Sequence, residues 1–510
     1  MKISLFLLMS ALACGWARAE EPAYVFGCDC LVGDCTNELA TAAGRQRAID
    51  WFRRHHVTKV YVESFRHGAA IPTARLREIR DEFRAAGLTV GGCFTPTNLK
   101  PAGREDTAKK IDYEQWCCYT DPDTLEVLRT EVARAAALFD FVIIDDFLFT
   151  HCTCARCTEQ KGTRSWTDFR CELMRGVCRQ IDAAAKSANP KCTFIVKFPC
   201  WYGGYRGAGY DVAAESRILG ASWVGTETRD WGVPTQAFWI QAWMNLASGG
   251  LCGGGWFDAL MTSDPAKYVE QARYTILGGA RETILHCYFH LGAPEPPVDP
   301  NQPYRRVIRW HDCAEAFRRE VDGLERLAKF VRGAELKGIP FARAADAEGE
   351  DRAVAVLRGG VPVKPVLADG VKFPFDDEKT YPRATAAALA KVQAWAAAQT
   401  GVDFSAPGDV SLHLYEKDGQ RYAAVVNLRK ESVTVRLGTA EGASAVLLAL
   451  PTSAAVRPGE GKTLVLAPGA LAFCRLPGAP FIRCAGPERR SGVRFCGQEI
   501  GSLQPHPPNS

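Results

Sequence analysis

Phe141-Val142-Ile143-Ile144-Asp145-Asp146-Phe147 places four apolar, strand-forming residues directly before two carboxylates. A short apolar run ending in polar residues reads as a strand buried on both faces, as in a parallel sheet. Working outward, the same kind of run recurs at Tyr24–Cys28, Lys59–Glu63, Thr89–Phe94, Thr193–Phe198, Ser222–Glu227, Gly250–Phe257 and Thr283–Phe289, with the quoted strand taken as Phe141–Asp146. Stretches of helical period alternate with these runs: Gln46–His55, Thr73–Ala86, Asp123–Leu138, Trp166–Ala188, Val212–Leu219, Thr235–Leu246, Asp264–Leu277 and Tyr304–Arg332. Eight strands alternating with eight helices over about 310 residues is the arithmetic of an α/β fold of the (β/α)8 TIM-barrel type. A doubly wound sheet would carry a Gly-rich phosphate-binding turn after its first strand. This chain has Gly27-Cys28-Asp29-Cys30 there.

The barrel is expected over residues 20–335. Residues 336–404 form a connecting region of unassigned architecture, with short strand-like runs and one helix near Ala386–Gln399. From 405 to 476 the pattern is all-β. Ser411-Leu412-His413-Leu414-Tyr415, a Lys417-Asp418-Gly419 turn and Arg421–Asn427 read as a hairpin, and three later strand-like runs extend it into a small β-sandwich. Residues 477–510, rich in Pro, Gly and Arg, read as a loose tail with Cys484 and Cys496 available for a bridge.

The chain has 510 residues, of which 47% are hydrophobic and 24% charged, a balance that excludes disorder. Lys2, the apolar run Ile3 to Cys14 and Ala17-Arg18-Ala19 before Glu20 read as a signal peptide over 1–19. The expected location is therefore secreted or periplasmic, with lipoprotein anchoring through Ala11-Leu12-Ala13-Cys14 as the alternative. No later stretch approaches the ~20 apolar residues of a transmembrane helix. The net charge of +4, which falls to +2 without Lys2 and Arg18, gives no reason to expect a nucleic-acid partner. Twenty cysteines, less Cys14 of the leader, leave an odd number, so at least one is free, metal-bound or intermolecular.

In a TIM barrel the chemistry sits where strands end. The ends here are polar: Asp29, Glu63, Asp145-Asp146, Lys197, Glu227 with Arg229 and Asp230, Asp258, and His286 with His290. Neighbouring strand residues face opposite sides, so one of Asp145 and Asp146 is expected to be catalytic and the other supporting, unless both cap the following turn. Glu227 is the natural partner, with an ion pair to Arg229 or Lys197 as its alternative role. Two carboxylates across a barrel mouth cleave glycosidic bonds as acid and nucleophile or acid and base. Trp201, Tyr202, Tyr205, Trp231 and Trp256 add flat faces suited to sugar rings. The expected catalytic pair is Asp145 and Glu227, with Asp146, Glu63, Lys197, Trp201, Arg229, Asp230, Trp231 and Asp258 binding a carbohydrate substrate and no cofactor needed for catalysis. A metal-dependent amidohydrolase would want His-x-His at the first strand, which is absent. Lys197 as a Schiff-base amine is a weaker reading than Lys197 as an ion-pair or hydroxyl donor. A non-catalytic carbohydrate-binding protein on a hydrolase-like barrel is the alternative function.

His151-Cys152-Thr153-Cys154-Ala155-Arg156-Cys157 brings three thiols into one tight loop, most of a tetrahedral zinc site. Cys117, Cys118 or His151 is available as the fourth ligand, and disulfide pairing is the other reading. Either way the loop is expected to be structural. Together these features resemble the secreted glycoside-hydrolase-like barrels of polysaccharide-degrading bacteria. The carboxylates after strands 4 and 6 are similar in placement to the α-galactosidase clan, and that resemblance implies a nucleophile at Asp145 and an acid at Glu227. Asp-Asp in place of a lone Asp, and Glu in place of Asp, depart from that clan's pattern. The cysteine spacing resembles the structural zinc cluster of some microbial β-galactosidases, implying a fourth cysteine from the preceding loop, Cys117 or Cys118. The resemblance covers the barrel and, loosely, the sandwich, and leaves out Lys337–Thr400.

Overall fold

The computed structural model describes residues 24–99, 117–294, 310–373, 385–448 and 456–478, with the backbone alone at 109–110 and 115–116. The expected leader, the start of the Tyr304–Arg332 helix and the Cys484–Cys496 pair lie outside the described residues. Eight parallel strands close into a barrel: β1 (Val25–Cys30), β2 (Val57–Arg66), β3 (Thr89–Phe94), β4 (Phe141–Ile144), β5 (Thr193–Phe198), β6 (Ala221–Gly225), β7 (Cys252–Asp258) and β8 (Glu282–His286). Each pairs with its successor, and β1 also pairs with β8, which completes the ring. The outer helices are α1 (Ala42–Arg54), α2 (Thr73–Ala85), α3 (Pro122–Ala136), α4 (Trp166–Ala188), α5 (Val212–Leu219), α6 (Thr235–Ala247), α7 (Pro265–Leu277) and α8 (Trp310–Val331).

The barrel is filled rather than open. Tyr61, Cys93, Ile143, Ile195, Trp223, Trp256 and Ile284, one from each of β2 to β8, form an interior cluster. β1 contributes Gly27, where an added Cβ would meet Glu282, Ile284 and Tyr61 at 3.2–3.4 Å. The large neighbouring side chains occupy that space, so β1 has no room for one of its own. Trp256, placed on the seventh strand from sequence and grouped with the sugar-facing aromatics, belongs to this interior and is fully buried.

Beyond the barrel the chain runs through β9 (Glu335–Lys337), β10 (Ile339–Ala342), α9 (Ala353–Arg358), β11 (Val363–Val366), α10 (Ala386–Thr400), β12 (Val402–Ser405), β13 (Val410–Lys417), β14 (Gln420–Asn427), β15 (Val433–Thr439), β16 (Val446–Leu447), β17 (Val456–Pro458), β18 (Thr463–Leu466) and β19 (Leu471–Leu476). Two antiparallel sheets, in the orders β9-β13-β14-β19-β16 and β12-β15-β18-β17, enclose an apolar core. The stretch 336–404, unassigned from sequence, thus supplies most of β12 and of β9 to the sandwich, while β10 and β11 pair with each other in parallel.

The sandwich is docked on α6, α7 and α8. Tyr415 donates to Leu277 O at 2.7 Å, Tyr274 and Ser411 share a 2.7 Å hydrogen bond, and the His413 ring lies 4.1 Å from that of Phe238. Lys417 places its ammonium on the carbonyls of Lys329, Phe330 and Arg332 at 2.7–3.2 Å, satisfying the free carbonyls at the end of α8. Strands on both sides of residue 405 share these sheets. Limited proteolysis is therefore expected to release no stable fragment beginning near Ser405, and recovery of one as a soluble folded species would contradict this docking.

Candidate active site

The mouth is built where β2, β4, β5, β6, β7 and β8 end. β4 stops at Ile144, two residues before the expected limit. Asp145 still donates its N–H to Phe94 O at 3.0 Å, but Phe147 N turns back onto Asp145 O at 2.6 Å and breaks the extended run. That turn separates the two aspartates. The Asp145 side chain is 6% exposed and the Asp146 side chain 16%.

Lys197, at the penultimate position of β5, lies under all three candidate carboxylates. Its Nζ is 2.8 Å from Asp146 Oδ2, 3.5 Å from Asp145 Oδ1 and 3.7 Å from Glu227 Oε1, and it sits 4.5 Å from the centre of the Trp256 ring. Burial opposes its charge, but the three carboxylates override burial and raise its pKa well above the ordinary value. A permanently protonated amine is not a Schiff-base nucleophile.

The carboxylates are differentiated by what else they touch. Burial pushes the Asp145 pKa up, yet Lys197, Arg66 and His286 together hold it well below the usual carboxylate range. Arg66 Nη2 lies 2.6 Å from Asp145 Oδ2, and the Asp146 N–H donates to Asp145 Oδ1 at 2.9 Å. Glu227 has its pKa raised, chiefly by burial, against the pull of Lys197 and with help from Asp258. Its Oε2 is buried without a hydrogen-bond partner among the described residues. The Asp146 pKa is also raised, again chiefly by burial, with the Asp145 charge adding to it.

Other expected residues play different parts. Glu63 is fully buried, and its oxygens accept from Val32 N, Thr95 Oγ1 and Arg66 Nε at 2.6–2.8 Å. It braces Arg66 from beneath the mouth, whereas the sequence reading placed it among the substrate-binding residues. Asp258 is taken by Arg229, whose nearest nitrogen is 2.5 Å away. Asp230 ties the loop after β6 to the segment after β7 by accepting from Ser263 N and facing Lys267 at 3.6 Å. Trp201 and Trp231 stand out at the rim, 40% and 64% exposed, while Tyr202 and Tyr205 are buried.

Two participants were not singled out from sequence. Arg66, three residues past Glu63, was overlooked because the expected strand stopped at Glu63. His286 was noted only as a polar strand end. Its Nδ1 lies 2.7 Å from Asp29 Oδ2 across the seam between β8 and β1. Burial opposes its charge, but Asp29 overrides it, and the pKa is raised.

Gly225, the last residue of β6, shows how closely Glu227 is fitted. A Cβ there would lie 2.6 Å from Glu227 Oε2 and 2.8 Å from the Cys200 backbone nitrogen. Gly225→Ala must displace the carboxyl group, and misplacement on the scale of 1 Å costs about 10²-fold. A kcat loss of roughly 10- to 100-fold is expected together with a lowered Tm, because the Cys200 backbone must also give way, and unchanged kinetics in the folded variant would show that the fit is not needed.

Beside the mouth, Cys118, Cys152, Cys154 and Cys157 converge, with all ligand atoms within 4.8 Å of one another. Cys118 Sγ is 3.7 Å from Cys154 Sγ and 3.6 Å from Cys157 Sγ. Those are close to the ~3.8 Å edge of a sulfur tetrahedron around zinc with Zn–S bonds of ~2.3 Å, and well beyond the ~2.05 Å of a disulfide. Of the three candidates for a fourth ligand, Cys118 is the one in place. Cys117 instead donates to Pro96 O.

A family model described as "Probable glycosyl hydrolase, catalytic domain" matches residues 19–346. An uncharacterized protein of Saccharolobus solfataricus is 22% identical over 246 residues, which is 44% of this chain. The match spans 41% of that relative, well under two thirds of its length. Among solved structures, a β-galactosidase from Bacillus circulans sp. alkalophilus superposes with a TM-score of 0.58 at 10% identity, covering 89% of this chain and 99% of its own. α-L-Fucosidase isoenzyme 2 from Paenibacillus thiaminolyticus gives the same values. At that identity the two structures establish a shared fold. No helix among the described residues is long and apolar enough to cross a membrane.

Proposed function

Since this chain belongs to the family of probable glycosyl hydrolase catalytic domains, we propose that it hydrolyses a glycosidic bond of an oligo- or polysaccharide outside the cytoplasm, with Asp145 and Glu227 as the catalytic pair. The observation that carries this reading is the opposite protonation bias of two carboxylates that share one ammonium. Sharing Lys197 keeps Asp145 Oδ1 and Glu227 Oε1 no more than about 7 Å apart, a bound that spans the ~5–5.5 Å of retaining enzymes and the lower part of the ~6.5–9.5 Å of inverting ones, and the retaining course is the one proposed.

In this mechanism the Asp145 carboxylate attacks the anomeric carbon while the bond to the leaving oxygen breaks. Glu227, neutral because it is buried, gives that oxygen its proton. Water then attacks the anomeric carbon, Glu227 takes the water's proton, and the bond to Asp145 breaks. Arg66 and Lys197 keep Asp145 ionised, Asp146 fixes Lys197, and Trp201 and Trp231 offer rim surfaces for sugar rings. Purified protein is expected to release product from at least one member of a panel of aryl glycosides and plant, algal and mucin glycans. Sugar binding without release by the wild-type protein would favour a binder instead. Export beyond the cytoplasm rests on the sequence of residues 1–19 alone.

For the thiol cluster the proposal is a structural zinc held by Cys118, Cys152, Cys154 and Cys157. Four protein ligands fill a tetrahedral ion and leave no position for substrate, so its contribution is to cross-link the loops after β3 and β4. Cys118→Ser is expected to lose the metal and lower Tm by at least ~5 °C while the kcat of the folded enzyme stays within a few-fold. Metal-free wild-type protein by native mass spectrometry would reject the site.

A further inference from the structure

The loop formed by residues 343–351, between β10 and α9, reaches back over the barrel and grips the segment that follows β5. Arg343 is buried, with its guanidinium 4.4 Å from the ring centre of Tyr202 and 5.0 Å from that of Trp243. The guanidinium also donates to Gly349 O at 3.0 Å and lies 3.3 Å from Asp351 Oδ2, which in turn accepts from Trp239 Nε1 at 2.8 Å. Gly349 N donates to Gly203 O at 2.8 Å. Glu350 packs against the same segment, so close that a Cβ at Gly203 would lie 2.7 Å from Glu350 Oε1.

The gripped residues, Tyr202 and Gly203, directly follow Trp201. That side chain is held at the rim by edge contacts to Phe149 at 5.7 Å and Tyr205 at 5.9 Å, and by a tilted contact to Tyr210 at 5.9 Å. Phe149 follows the Asp145-Asp146 turn, so Trp201 joins the loops after β4 and β5. We infer that the 343–351 loop is a positioning element of the active site, which sets the Trp201 platform from outside the barrel and makes the connecting region part of the substrate-binding unit. This rests on the proposed role of Trp201 as a sugar surface. A grip built from a stacked Arg, an ion pair and backbone bonds orders the loop before substrate arrives, so losing it costs binding more than it costs the bond-breaking step.

The test is steady-state kinetics of the full chain on the 4-nitrophenyl glycoside it cleaves fastest. Glu350 is exposed and its replacement spares the core, so Glu350→Ala is the first variant. Glu350→Ala and Arg343→Ala are expected to raise KM by roughly 5- to 10-fold with kcat within about twofold, and Arg343→Lys is expected to restore part of the loss. Trp201→Ala is expected to raise KM at least as much, and adding Glu350→Ala to it is expected to change KM no further, because both act through one surface. An unchanged KM in folded Glu350→Ala, additive effects in the double variant, or a fall in kcat at constant KM would overturn the inference. An unchanged KM in Trp201→Ala would also overturn it, without bearing on Asp145 and Glu227, whose variants are read in kcat.

Discussion

Asp145→Asn is expected to abolish turnover of every substrate, good leaving group or poor, by about 10²- to 10⁴-fold or more in kcat. The amide keeps the size of the carboxylate but cannot form the bond to the anomeric carbon. It also turns a group held ionised by Lys197, Arg66 and His286 into a neutral one beside three cations. Asp146→Asn is expected to cost less, since Asp146 touches Lys197 and its pKa is already raised. Kinetics of the two variants side by side decide the assignment. If Asp146→Asn is the inactive one, the nucleophile is Asp146 and the turn at Asp145 has been read the wrong way round.

The second large effect is that of Glu227→Gln, which is expected to lower kcat on unactivated saccharides by about 10²-fold or more. The wild-type profile follows from the directions of the two shifts. Activity needs Asp145 ionised and Glu227 protonated, so it is lost at acid pH as Asp145 takes up a proton and lost at alkaline pH as Glu227 releases one. The Asp145 pKa is depressed and the Glu227 pKa raised, so the active window lies between them, wider than two ordinary carboxylates would allow. Glu227→Gln removes the alkaline limb and leaves the acid limb. Persistence of the alkaline limb in that variant would assign it to another group.

Much of this was legible in the chain itself. The barrel strands declare themselves because each is a short apolar run and nearly all have polar residues at or just beyond their ends, where Asp145, Asp146, Lys197 and Glu227 fall. What stayed hidden depends on closure or on phase. Asp29 and His286 are 257 positions apart and meet only because the last strand pairs with the first. Arg66 joins the site because β2 runs three residues beyond its expected end, under the same strand pairing that carries Phe65 alongside Phe94. Cys117 and Cys118 are neighbours of equal composition, and only the local turn decides that Cys118 faces the other thiols. The grip of residues 343–351 leaves no periodic signal, because β10 and β11 have four residues each and α9 six.

The central claim, that Glu227 donates a proton to the leaving group while Asp145 supplies the negative charge, is tested most directly by one measurement. It is kcat/KM of Glu227→Gln across aryl glycosides of one sugar whose leaving-group phenols span several pKa units. The account predicts near wild-type rates for the most acidic phenols, which need no proton, and losses that grow steeply toward the least acidic ones. A uniform loss across the series, or none at all, would contradict it.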